Sequence, residues 1–143
     1  MDVRDRRRRA GLTQRELARL TGIAQPNISA YESGRLTPSD STLARIVAAT
    51  RVRPSVLLER LREEIATVAE QFHASDIRVF GSVADGSDTT ASDLDLLVHF
   101  SDEATLYDQI GLTEALESLL GVPVDVISDG ASGVDQIKDA VPV

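Results

Sequence analysis

Three aspartates and one Gly-Ser pair are the residues of this 143-residue chain whose spacing could do chemistry. Asp93 and Asp95 flank Leu94 and run into Leu96, Leu97 and Val98, a short apolar stretch that reads as a strand. Residues two apart on a strand share a face, so the two carboxylates project together, roughly 7 Å apart along the chain. Side by side they repel, and a hard cation that prefers oxygen ligands, such as Mg²⁺, relieves the repulsion. Asp125 is the one charge in residues 122–127, a second short strand. If that strand lies beside the first, three acids converge on one metal–phosphate site. Such a site can orient a nucleoside triphosphate and activate an incoming hydroxyl.

Gly81 and Ser82 follow residues 77–80, a β-branched and aromatic run that reads as a third strand. Glycine lets the backbone approach a ligand with no Cβ in the way. Ser82 adds a hydroxyl and an amide at the expected start of a helical turn, where outward amides favour an anion such as a phosphate. Residues 102–120 carry apolar positions at helical spacing and end at Gly121, and residues 131–140 read as a short last helix. Taken together, Gly81-Ser82, Asp93-Leu94-Asp95 and the later Asp125 on a strand resemble the nucleotidyltransferase pattern in its minimal form, over about residues 63–143. One departure stands out. Where that pattern carries arginines shortly after Gly-Ser, this chain has Val83 and Asp85.

The amino-terminal half has a different composition. Residues 1–62 hold 13 Lys and Arg against 6 Asp and Glu, whereas residues 63–143 hold 2 against 17. A basic half joined to an acidic half argues for two modules with different partners, the basic one suited to nucleic acid. There is no cysteine, which excludes disulfides and thiolate metal sites. No apolar run approaches membrane-spanning length, and no apolar core follows the basic amino terminus, so a soluble, cytoplasmic protein with neither a membrane partner nor a signal peptide is expected.

Residues 2–10 read as a basic first helix stopped by Gly11. A second helix opens at Thr13, with Glu16 at capping-box spacing and Leu17 and Leu20 on its buried side. Thr21-Gly22 makes a turn. A third helix over 24–32 tolerates Pro26 in its first turn and turns Ile28 and Tyr31 inward. Residues 41–50 form a fourth helix and Pro54 opens a fifth. Apolar positions from Val56 to Phe72 keep helical spacing with no Gly, Pro or Ser-rich break, so nearly continuous helix is expected to join the modules near Arg62.

This helix-turn-helix order resembles the phage-repressor type of DNA-binding domain over about residues 2–60. The resemblance makes the third helix the recognition helix, with Gln25, Pro26, Asn27, Ser29 and Ala30 near base edges. It sets Gln14, Tyr31 and Arg35 at positions that touch phosphates. The expected fold is therefore α/β (α+β): an all-helical helix-turn-helix domain, 1–61, followed by a small nucleotidyltransferase-fold domain with a short mixed sheet, 62–143.

Fused in this way, the chain resembles antitoxins of toxin–antitoxin systems whose toxin is a HEPN-type ribonuclease. The resemblance implies a dimeric repressor of operator DNA that uses ATP and Mg²⁺ to adenylylate its cognate toxin. Asp93, Asp95 and Asp125 would be the catalytic and metal-holding residues, with Gly81 and Ser82 cradling the phosphates. Two alternatives remain open. One is a non-catalytic antitoxin and repressor whose transferase fold is a docking surface. The other is a transcription factor whose acidic half senses a nucleotide.

Overall fold

A computed structural model describes residues 2–143. They fall into two compact units, divided between Val52 and Arg53.

The first unit holds four helices: α1 (Val3–Arg9), α2 (Gln14–Thr21), α3 (Gln25–Ser33) and α4 (Asp40–Ala49). Their starts are set locally. Asp2 and Ser39 accept backbone N–H bonds at the heads of α1 and α4, and Thr13 and Glu16 form the expected capping box on α2. Pro26 lies in the first turn of α3, where its missing N–H breaks no intrahelical bond. Gly22 ends α2 in the left-handed region at φ 71°. The core is Val3, Leu17, Ile23, Ile28 and Ile46, with Leu12, Ala18, Tyr31 and Ala49 packed against it. Leu20 departs from expectation: it is 61% exposed. The buried stripe of this two-turn helix runs through Gln14, Leu17, Ala18 and Thr21, and Leu20 falls outside it.

The second unit begins with α5 (Pro54–Arg60) and α6 (Arg62–Gln71). Helix does not run unbroken through this stretch. Leu61 sits at φ −111°, ψ 22°, closing α5 and opening α6. Both helices belong to the second unit, so the helix expected to join the modules is a layer of one of them. Then follow β1 (Ala74–Phe80), α7 (Ser82–Asp85), β2 (Leu94–Phe100), α8 (Leu106–Leu120), β3 (Val124–Ser128), a 3₁₀ turn at Val134–Gln136, and β4 (Val141–Pro142).

The strands form one mixed sheet in the order β3-β2-β1-β4, with β2 and β3 parallel and the other pairs antiparallel. The register aligns Val79 with Leu96 and Leu96 with Val126, and all three are buried. With Leu94, Val98 and Val124 they form one apolar face, and burying each such side chain contributes about 1.5–3 kcal/mol. Pleating sends the intervening residues, Phe80, Asp95 and Asp125, to the opposite face. Leu112, Leu116 and Leu120 put the core stripe of α8 at full burial.

The short last helix expected over 131–140 is replaced by the three-residue 3₁₀ turn and β4. Gly133 at φ 82° precedes that turn and breaks helical geometry. Pairing with β1, including Val143 N–H donating to the Ile77 carbonyl at 3.1 Å, satisfies a sheet edge that would otherwise lie open. Among the described residues, no helix is long and apolar enough to cross a membrane.

Candidate active site

The parallel register of β2 and β3 decides where the acids sit. Asp95 aligns with Asp125 across the pair, and Phe80, the last residue of β1, aligns with Asp95 on its other side. Asp93 lies just before β2 rather than within it, exposed at the strand's mouth. Asp125 is exposed and Asp95 is half-buried. Burial, then the charges of Asp125 and Asp93, push the Asp95 carboxyl above its ordinary value. The three carboxylates therefore share one electrostatic neighbourhood.

Gly81 turns the chain directly over this cluster. Its dihedrals, φ 74° and ψ −148°, lie in a region open essentially to glycine alone. A Cβ at this position would stand 2.9 Å from Asp95 Oδ2. The missing side chain thus lets the backbone close on the carboxylate, and Ser82 opens α7 immediately beyond.

All three donors are carboxylate oxygens, a set that suits a hard divalent cation. Among the described residues, no group of three or more His, Cys, Asp or Glu is arranged to hold a metal ion as it stands. What fits the acids to a cation is the like-charge pressure on Asp95, which a cation between them would relieve.

The profile of the family described as "Nucleotidyltransferase domain" matches residues 58–141, more than half of the chain. The chain belongs to the nucleotidyltransferase domain family. Ahead of that domain, the profile described as "Helix-turn-helix" matches residues 3–57. The nucleotidyltransferase domain is similar to a provisionally named protein adenylyltransferase of Methanocaldococcus jannaschii, 31% identical over 87 residues, covering 61% of this chain and 89% of the relative. It is 43% identical over 58 residues to the protein adenylyltransferase MntA of Thermococcus cleftensis, covering 41% of this chain and 59% of that protein. A solved structure described as a provisional minimal nucleotidyltransferase shares 41% identity and a TM-score of 0.56, covering 62% of this chain and 95% of its own.

The cations of the nucleotidyltransferase domain are mostly engaged or displaced. Arg78, in β1, lies 3.4 Å from Asp129 and 3.5 Å from Asp76. His99 Nδ1 lies 3.0 Å from the same Asp129. Because the second compact unit starts at Arg53, it also contains Arg53, Arg60 and Arg62, which the sequence alone assigns to the basic half. Val83, where the family pattern carries arginine, is buried.

Asp88 is a residue that sequence reasoning passed over. Its side chain is fully buried and accepts from the Ser55 N–H at 2.9 Å and from Arg53 Nη2 at 2.8 Å. Arg53 Nη2 also donates to the Gly86 carbonyl at 3.0 Å. Burial pushes the Asp88 carboxyl up, but the bonds from Ser55 and Arg53 outweigh it and hold the group below its ordinary value. Asp88 supplies α5 with the cap its own sequence lacks, and ties that helix to the segment between Gly81 and Asp93. It lies in a polar run with turn composition, and no local signal marks it.

In the helix-turn-helix domain, Asn27 and Pro26 are exposed on α3, with Gln25 and Ser29 partly so. Ala30 is buried, 6% exposed, because the turn after α3 folds back and donates Leu36 N–H to its carbonyl. Its methyl therefore offers no base edge a contact. Gln25 Nε2 donates to Gln14 Oε1 at 2.8 Å, and Gln14 Nε2 reaches Glu32 at 3.4 Å. Glu32 has a buried side chain gripped by Arg7 through two bonds, at 2.8 and 2.9 Å. The hydrogen bond from Arg7 leads the causes that hold the Glu32 carboxyl below its ordinary value. Tyr31 packs against the core, and Arg35 is exposed beside Ser33.

Proposed function

We propose that this chain is an antitoxin that transfers an adenylyl group from ATP to a hydroxyl of its cognate toxin, and that its helix-turn-helix domain represses the operon encoding both. The observation that carries the reading is the β2–β3 register, which sets Asp95 beside Asp125 under the Gly81 turn. The adenylyltransferase names of the relatives support the choice of adenylyl.

In this reading Asp93, Asp95 and Asp125 hold Mg²⁺, which when bound neutralises triphosphate charge and orients the α-phosphate. Gly81 and Ser82 present backbone amides and a hydroxyl to the phosphates. Asp125, the most open of the strand-borne acids, takes the proton of the incoming hydroxyl. The toxin oxygen forms a bond to the α-phosphorus, the bond to the bridging α–β oxygen breaks, and pyrophosphate leaves.

The test uses the full chain, Mg²⁺, α-labelled ATP and the toxin encoded beside it. Label should appear on the toxin, and Asp93→Ala or Asp125→Ala should slow its transfer by about a hundredfold or more. Transfer at the wild-type rate in both variants would remove the acids from the mechanism.

A second reading, a non-catalytic antitoxin with a transferase fold, is favoured by one observation. Val83 and Asp85 stand where arginines would meet the triphosphate, and Arg78 is held by Asp129 and Asp76. Melting with Mg²⁺ and ATP separates the two readings. Ligand at a hundred times its Kd adds about 2.7 kcal/mol to the folded state, whereas a docking fold melts unchanged.

On the DNA side, Gln25, Asn27 and Ser29 would read bases while Gln14, Tyr31 and Arg35 meet phosphates. A homodimer would bind half-sites about one helical turn apart, and a footprint with a single unrepeated site would contradict this.

A further inference from the structure

Helix α8 buries one stripe through Leu112, Leu116 and Leu120, each at most 1% exposed. At 100° per residue, Leu106, Tyr107 and Ile110 fall on the opposite side of the helix, with Glu114 and Glu117 on the same outward side further along. An outward face of a helix ordinarily carries polar residues. Here its first turns carry Leu106 at 69%, Tyr107 at 84% and Ile110 at 48% exposure. A contiguous exposed patch of large apolar side chains marks an interaction site more often than chance scatter does. Tyrosine is also the residue type that anchors interfaces, with an apolar ring and a polar tip.

The charges around the patch say what covers it. Glu103, 83% exposed at its side chain, precedes α8, and Glu114 and Glu117 continue its outward face. No Lys or Arg occurs anywhere between Arg78 and Lys138. A second copy of this face would set acid against acid with no cation to answer it. A nucleic-acid backbone or an anionic lipid surface meets the same repulsion. A protein surface that offers an apolar cleft to Tyr107, rimmed by lysine and arginine, satisfies both the apolar patch and its acidic surround.

We infer that Leu106, Tyr107 and Ile110, with Glu103, Glu114 and Glu117 around them, form the docking site for a basic protein partner. The partner rests on the proposed function, in which it is the toxin that accepts the adenylyl group. The site is an exosite. The patch lies at the amino end of α8, and Asp125 follows the carboxyl end, about 22 Å of helix away. Docking and transfer are therefore separable by mutation.

The test titrates the full chain with the purified neighbour-encoded protein by calorimetry at low and high salt. Leu106→Ser/Tyr107→Ser should weaken binding about tenfold or more while leaving the melting temperature unchanged, since both side chains face solvent. Glu114→Lys/Glu117→Lys should weaken binding and flatten its salt dependence. Asp93→Ala should bind as wild type does. Wild-type affinity in either surface variant overturns the inference, as does a wild-type chain that fails to bind the neighbour-encoded protein. A patch variant altered only in self-association also overturns it. Binding through the patch without any label transfer would leave the exosite standing and remove the transferase reading. Transfer at unchanged KM in the patch variants would do the reverse.

Discussion

Asp95 is held by the fold in surroundings that disfavour its charge. Its carboxyl is raised by burial and by the charges of Asp125 and Asp93. Between the ordinary value and the raised one, the folded state keeps a proton that the unfolded chain releases, so stability falls as pH rises through that window. Above it, the ionised Asp95 is a constant cost. Asp95→Asn should therefore raise the melting temperature at pH 7 in chelator, and the gain should vanish at acid pH, where the wild-type group is already protonated. An equal gain at all pH values would show that the effect is not electrostatic. Gly81 tests the same site from the backbone side. Gly81→Ala places a Cβ 2.9 Å from Asp95 Oδ2 at a dihedral pair costly for any other residue, and should cost about 1–3 kcal/mol in denaturant melts. A variant of unchanged stability would mean the turn relaxes away from the acid.

At the scale of elements, the legible features were local. The capping box at Thr13 and Glu16, the proline in the first turn of α3 and the left-handed glycine after α2 are each set within a few residues, so spacing was enough to read them. Contacts between elements carried no such signal. Arg7 and Glu32 are 25 residues apart, and Arg7 stands in a basic run that reads as a solvated face. Removing one partner of a buried pair leaves the other uncompensated, so Glu32→Gln should destabilise the first unit by about 3 kcal/mol. Its wild-type contribution is present above the ordinary carboxylate range and is lost as pH falls through the lowered value of Glu32. A variant as stable as wild type at pH 7 would count against this. Gly111, inside α8, reads in sequence as a plain helix weakness, yet a Cβ there would stand 2.5 Å from the Phe72 ring. Gly111→Ala, favourable by helix propensity alone, should instead cost about 1–3 kcal/mol through overpacking, as read by melting. A stabilised variant would show that Phe72 can turn aside.

For the whole molecule, charge distribution governs which surface meets which partner. Residues 1–52 hold ten Lys and Arg against five Asp and Glu, while residues 53–143 hold five against eighteen. Operator affinity of the full chain should fall with salt, and Arg35→Ala should reduce the slope by about one phosphate contact per subunit. An unchanged slope in anisotropy titrations would take Arg35 off the backbone. The sequence by itself determined the two-domain order, the helix-turn-helix elements, the strand character of the acid-bearing segments and the chemistry of the three aspartates. Each of these follows from residue type and short-range spacing, which act before the chain has folded. Only the tertiary structure decided that Asp95 pairs in register with Asp125, that Asp88 holds α5, that the last segment closes the sheet edge as β4 instead of forming a helix, and that Tyr107 faces outward. Those outcomes depend on which distant segments compete for the same backbone bonds and the same apolar faces, and no single stretch of sequence contains that competition.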